Sequence, residues 1–214
     1  DLEKLQEKGE ITFGCNLVTK VFGQTSWRPD YYFLIDRICA KFQSAEINQA
    51  IRDIPLFTNI TTYNIFRDKP RNPVILYNIA RKQYKVKRSP LAYYIPSGST
   101  VMSLMIEMAV YMGFSEIYLI GCDCTSTFSG NTHFVEGYTD ERLKQRDAKK
   151  ILDRMRRLGI EGDDYEKYFL DGSLNAYTLL KEHAMKRGVT IYNATRGGAL
   201  EVFERVDLDK FVSN

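Results

Sequence analysis

Histidine is scarce in this chain, with only His133 and His183 among 214 residues, which argues against a histidine-rich metal centre. The four cysteines, Cys15, Cys39, Cys122 and Cys124, have no CxxC spacing. That excludes the usual zinc pattern and does not suit a disulfide framework; free thiols of an intracellular enzyme fit better. No targeting segment is visible in these residues. The longest apolar run, Val101 to Met112, is too short to cross a bilayer and contains Glu107, so it reads as a core helix. A cytoplasmic location is expected, with peripheral membrane association left open. The net charge of +3 is too small for the electrostatic footprint of a nucleic-acid binder, and none is expected as partner. Internal repeats and low-complexity tracts are absent.

What is present is the composition of a globular domain with a real core, 44% hydrophobic and 27% charged. The chain is organised around residues 97 to 125. A turn of small residues, Ser97, Gly98, Ser99 and Thr100, opens the apolar helix, Gly113 closes it, and Glu116 to Ile120 alternates into a strand that leads to Asp123. Two earlier runs repeat that ending. Ile11 to Cys15 reads as a short strand followed by Asn16, and Tyr31 to Ile35 as a buried parallel strand followed by Asp36. Helices alternating with such strands predict an α/β fold, a Rossmann-like and mostly parallel sheet flanked by helices. Ligands of that fold lie beyond the carboxyl ends of the strands. Asn16, Asp36 and Asp123 are therefore candidates to line one crevice, although an asparagine in Asn16's position also serves as a turn or cap residue.

Elsewhere, residues 38 to 54 read as helical and residues 55 to 77 as two short strands joined by a loop. Lys85, Lys87 and Arg88 form a basic loop that either binds phosphate or is simply exposed. Residues 124 to 170 read as an insertion in the position of a lid, with His133 and Phe134 in its polar first part and a strongly charged helix after it. A helix from Gly172 to Lys186, capped near Ser173, is expected to pack through Ala176, Leu179, Leu180 and Ala184. The strand Val189 to Tyr192 then delivers Asn193, Thr195, Arg196, Gly197 and Gly198, residue types suited to a phosphate or carboxylate: glycines for close backbone approach, arginine for fork pairing.

The segments GCN at 14 to 16, PDYYFLID at 29 to 36, SGSTVMSLMIEMAVYMGFSEIYLIGCD at 97 to 123, HF at 133 to 134 and IYNATRGGALEVFERV at 191 to 206 together resemble a domain family. It is labelled after the archaeal 6-hydroxymethylpterin diphosphokinase and is similar in order and spacing to the bacterial sialyltransferases of glycosyltransferase family 42. The resemblance implies a single Rossmann-like domain over 1 to 214 with a mobile lid. By matching motif, Asn16 and Asp36 fall where the sialyltransferases place two donor-contacting asparagines, Ser97 and Gly98 on their Ser-Gly donor turn, and Asp123 on the aspartate closing their central strand. The families open with a strand and a Gly-x-Gly-Pro-Ser turn that would precede Asp1, so a truncated or excised domain is expected. The sialyltransferase tyrosine two positions past the aspartate is Thr125 here, kept as a substrate-binding candidate, and its catalytic histidine has no counterpart near Asp171 to Asn175.

The function expected is that of a glycosyltransferase of surface polysaccharide or lipooligosaccharide synthesis. Its donor would be a nucleotide-activated sugar, CMP-sialic-acid-like, and its acceptor a glycan. His133 is a candidate general base, since an imidazole titrates near working pH, with Asp123 or Asp36 as the other bases. No cofactor is firmly implied. The alternatives are ATP-dependent pyrophosphoryl transfer to a pterin alcohol, with Mg²⁺ on Asp36 or Asp123, and a nucleotide-binding module without activity. Self-association stays open, given aromatics such as Tyr93 and Tyr94.

Overall fold

The computed structural model describes residues 1–80, 92–94, 100–124, 152–153, 155–161 and 164–213. The first half is a parallel sheet in which sequence order is also spatial order: β1 (Phe13–Cys15), β2 (Tyr31–Leu34), β3 (Leu56–Asn59), β4 (Val74–Ala80) and β5 (Ala92–Tyr94). A second sheet holds β6 (Glu116–Leu119), β7 (Thr190–Asn193) and β8 (Glu204–Arg205), again parallel. The α/β class with mostly parallel strands is thus the one expected.

Helices supply the crossovers: α1 (Leu2–Glu7) precedes β1, α2 (Arg37–Phe42) and α3 (Ser44–Ala50) follow β2, α4 (Ile60–Ile65) follows β3, α5 (Val101–Met112) precedes β6, α6 (Asp164–Met185) precedes β7 and α7 (Leu208–Ser213) closes the series. Two of these differ from expectation. The stretch read as a loop between β3 and β4 begins with α4, because the Asn59 side chain accepts from the Thr62 amide at 2.8 Å and caps a helix whose β-branched sequence does not advertise one. α6 starts eight residues before Gly172, and Ser173 is a buried interior residue rather than a cap. Its packed stripe is Ala176, Tyr177, Leu180 and Ala184, with Leu179 left 43% exposed.

α5 is the element that the two halves share. A reciprocal Thr100–Ser103 capping box opens it and Gly113, at φ 89°, closes it. A helix apolar on all sides has to be buried. One side of α5 joins Phe33 and Phe57 through Leu104, Met105 and Met108; the other joins Tyr177, Leu180 and Ile191 through Ile106 and Val110.

Glu107 is the charged exception, with Oε2 3.5 Å from His183 Nε2 on α6. Burial pushes its carboxyl up to about 7 against the pull of Arg187, while burial, Arg187 and Lys186 hold His183 below its ordinary value. From about pH 4.5 to about 7 the folded chain keeps a proton on Glu107 that the unfolded chain has released. Stability therefore falls across that window; His183 works in the opposite direction below 6.5, where the unfolded imidazole charges first. Urea titrations of Glu107→Gln against the parent should show the fall, up to roughly 3 kcal/mol, removed in the variant. Identical pH profiles for the two proteins would dismiss Glu107 as its source.

Candidate functional site

The strand order reverses beside β1. From β1 the chain adds strands outward to β5, returns through α5, and begins the second sheet next to where it started. Phe13, at the start of β1, packs edge-on against Phe114, just before β6, with ring centroids 5.8 Å apart. At the other ends, the thiol of Cys15 feels that of Cys122. The two strands thus run the same way with corresponding ends near each other, although no hydrogen-bond ladder joins β1 to β6 among the described residues. Beyond their carboxyl ends lies a topological switch point, where open α/β sheets bind their ligands.

Asn16 enters this place directly from β1. Its backbone has φ 48°, a left-handed conformation that asparagine tolerates better than most residues. Its carbonyl accepts from the Tyr32 hydroxyl. Its side-chain Oδ1 is buried and has no hydrogen-bond partner among the described residues. A buried amide oxygen left unpaired is costly, and a bound ligand's hydroxyl or amine would relieve it.

Across from Asn16 a line of hydrogen bonds joins three elements. The Thr100 hydroxyl at the start of α5 bonds the Tyr177 hydroxyl of α6 at 3.1 Å, and Tyr177 bonds Cys122 Sγ at 3.3 Å. The amino end of α5 is thereby fixed at the carboxyl edge of β6. Hydrogen bonds from Cys124 and, less strongly, from Tyr177 hold the Cys122 thiol below its ordinary range despite its burial. The Cys122 bond and burial push the Cys124 thiol up, and burial, with a smaller contribution from Cys122, pushes Cys15 up to about 12.

Asp123 is half-buried between the two cysteines, and the segment after β7 holds it in place. Its carbonyl accepts from the Ala199 amide at 2.6 Å. Gly198, at φ 75°, lies so close that an added Cβ would stand 2.6 Å from that carbonyl oxygen. The Cys122 amide donates to Thr195 Oγ1 at 3.0 Å. Asn193, 1% exposed, donates from Nδ2 to the Leu200 carbonyl at 2.7 Å and accepts from the Thr195 amide at 3.0 Å. Arg205 clamps the same turn through the carbonyls of Thr195, Gly197 and Gly198. Gly198 does allow close backbone approach, and the backbone that approaches is that of Asp123.

The other candidates lie as follows. Asp36 sits past the carboxyl end of β2, next to β1, and its Oδ1 caps α2 by accepting from the amides of Ile38 at 2.6 Å and Cys39 at 3.3 Å. Arg196 projects from the turn after β7 and pairs with Asp1 at 2.5 Å and Asp209 at 2.6 Å. The Asn193 side chain is engaged inside the turn, and the Thr195 hydroxyl by the end of β6, through the Cys122 amide and the Leu119 carbonyl. Ser97, Gly98, Ser99, Thr125, His133 and most of the lid at 124 to 170 lie outside the described residues, as do the side chains of Tyr93 and Tyr94. The sequence reading missed Tyr177 and Arg205: an aromatic on an amphipathic helix and an arginine beside a glutamate carry no signal of their own.

A wide groove of about 900 Å³ opens elsewhere, at the amino ends of β2 and β3, between Phe22, Arg28, Asp30, Arg52 and Asp53. The Arg28 guanidinium in its wall is engaged by the carbonyls of Phe22, Thr25 and Trp27. It is remote from the switch point in topology. No helix among the described residues is long and apolar enough to cross a membrane, and no three metal-ligating side chains among them gather to hold an ion.

No curated protein and no solved structure matches the chain. Residues 1–128 match the family model described as 6-hydroxymethylpterin diphosphokinase MptE-like, a span that runs from α1 through the first sheet, α5 and β6 to just beyond Asp123, and the chain belongs to that family.

Proposed function

We propose that the chain is a transferase that binds a nucleotide across the crevice between β1 and β6, and that its donor is a nucleotide-activated sugar. A CMP-linked, sialic-acid-like donor and a glycan acceptor of surface polysaccharide or lipooligosaccharide are the first candidates. The observation that carries the reading is the buried, unpartnered Asn16 Oδ1 at the switch point, on the same edge as the start of α5 and Asp123. Catalysis on such a site rests on orientation and on stabilising the departing phosphate with preorganised donors. The first amides of α5 and the hydroxyls preceding it suit that task. Arg196 would have to leave Asp1 and Asp209 to join them. Ser97, Gly98, Ser99 and Thr125 would line the donor, and His133 would serve as general base; His133→Ala leaving turnover within a few-fold of the parent would end that assignment.

The family's description favours a second reading, transfer of pyrophosphate from ATP to a pterin alcohol. Asp36 has one carboxylate oxygen committed to α2, so Asp123 is the better-placed ligand for Mg²⁺, which commonly takes one or two carboxylates besides phosphate oxygens. Bound there, the ion would neutralise charge on the phosphates.

Calorimetric titration with CMP, CDP, UDP and ATP, each with and without Mg²⁺, separates the readings. A cytidine or uridine nucleotide should bind without metal, and Asn16→Ala should weaken it about 10-fold, the equivalent of one ordinary hydrogen bond. Mg²⁺-dependent binding of ATP alone would replace the sugar reading by the second. Binding of none would leave a module without transferase activity.

A further inference from the structure

We propose that the outer face of α2 and α4, with the loop that follows α4, is a docking surface for an anionic lipid bilayer. The inference stands apart from the nucleotide reading. This layer covers the side of the first sheet opposite α5: Cys39 and Ala40 of α2 and Phe66, just after α4, pack with Tyr32, Leu34 and Leu56, whereas α5 packs with Phe33 and Phe57. With its inner side committed to that core, the layer leaves Phe42 48% exposed at the end of α2. Two cations from different elements stand over its ring, Lys41 Nζ at 5.4 Å and Arg67 Cζ at 6.0 Å from the centroid. Lys69 repeats the arrangement over Tyr63 of α4 at 4.5 Å, and its Nζ donates to the Tyr63 carbonyl at 2.5 Å. Arg37, one turn ahead of Lys41, and Arg71, at the end of the loop, are exposed as well. Among the described residues no ion pair engages any of these cations. Asp68 is the one acid in the loop, while Glu46 and Asp53 line the groove at the amino ends of β2 and β3 instead. A net charge of +3 for the whole chain thus conceals a local excess of cations around aromatic rings.

The ring geometry decides between the polyanions that such a patch attracts. A base of single-stranded nucleic acid needs an open aromatic face to stack on, and cations already lie over both rings. A bilayer uses the same arrangement as it stands. The ring edge enters the boundary between headgroups and acyl chains, while the long basic side chains lay their stems along apolar surface and keep their charges among the phosphates. Each cation adds to the attraction of an anionic leaflet, and the attraction fades within a Debye length.

Co-sedimentation of the intact chain with vesicles of phosphatidylcholine and phosphatidylglycerol in equal parts, against phosphatidylcholine alone, tests this. The chain should pellet with the anionic vesicles only. Raising the salt from about 0.1 M to about 1 M, which shortens the screening length from about 10 Å to about 3 Å, should release it. Lys41→Ala and Arg67→Ala should each weaken binding about 5-fold. Lys186→Ala removes the same charge from α6, which packs with the second sheet, and should leave binding within about 2-fold of the parent. On anionic vesicles the emission of Phe42→Trp should shift to shorter wavelength, over a constant background from the buried Trp27. These side chains are exposed, and thermal melts by circular dichroism confirm that each variant folds. The proposal is overturned if the parent does not pellet with anionic vesicles, or if the emission of Phe42→Trp does not move. It is also overturned if Lys186→Ala weakens binding as much as Lys41→Ala, since net charge alone would then be at work. Polyuridylate binding tighter than vesicle binding, and lost in the same two alanine variants, would make the face a nucleic-acid site instead.

Discussion

Replacing Gly198 with alanine is expected to destabilise the protein by roughly 2–4 kcal/mol, combining a left-handed backbone that alanine resists with an overpacked contact. The new methyl would stand 2.6 Å from the carbonyl oxygen of Asp123 and 2.7 Å from its Cα, and both are backbone atoms that cannot swing aside. Either the glycine turn or the Asp123 loop has to move. Gly197 provides the control. It has nearly the same φ, 72°, but nothing within 4 Å of an added Cβ, so Gly197→Ala should cost only about 1 kcal/mol. Urea midpoints at unchanged m separate the two contributions. Equal losses in both variants would mean that the contact with Asp123 carries no weight.

Asn193→Ala should cost a similar amount, roughly 2–4 kcal/mol, because it strands two buried groups at once. The Leu200 carbonyl loses its donor and the Thr195 amide its acceptor, in a position too buried for water to replace them readily. Thr195→Val keeps the shape and removes the hydroxyl that accepts from the Cys122 amide and donates, at 3.4 Å, to the Leu119 carbonyl, so about 1–2 kcal/mol is expected from it. The order, asparagine above threonine, is the informative result in the same denaturation series. If Asn193→Ala melts within half a kcal/mol of the parent, on the scale of an ordinary surface change, the turn is held by something other than this amide.

These two residues show where sequence reading stopped. The strands β1, β2, β6 and β7, the helix α5 and the polar residues at the strand ends could be read from short-range pattern, because period, caps and apolar runs are local properties. The work done by Asn193, Thr195, Gly197 and Gly198 could not. Glycines, amides and hydroxyls after a strand look the same whether they cradle a phosphate or staple a backbone. What distinguishes the two is a partner far along the chain, such as the Thr195 bond to Cys122 across 73 positions or the Arg196 bond to Asp1 across 195. Asp36 illustrates the same ambiguity at shorter range, since an acid after a strand is also the preferred start of a helix. Tyr177 was hidden for a simpler reason: a buried hydroxyl becomes visible only once its hydrogen bonds to Thr100 and Cys122 are seen.

The position of α5 limits how the chain can be dissected. Because one helix closes a hydrophobic surface of each sheet, neither half is fully closed without it, although the first sheet keeps a separate core on its other face around Tyr32, Leu34, Ile47 and Leu56. A fragment cut ahead of Val101 would leave the stacked rings of Phe33 and Phe57, with centroids 4.6 Å apart, facing water, and a fragment begun after Met112 would strip Tyr177 and Ile191 in the same way. Swapping either sheet into a homologous scaffold therefore requires carrying this helix along, and the graft should be soluble only when its new neighbours match both of its sides.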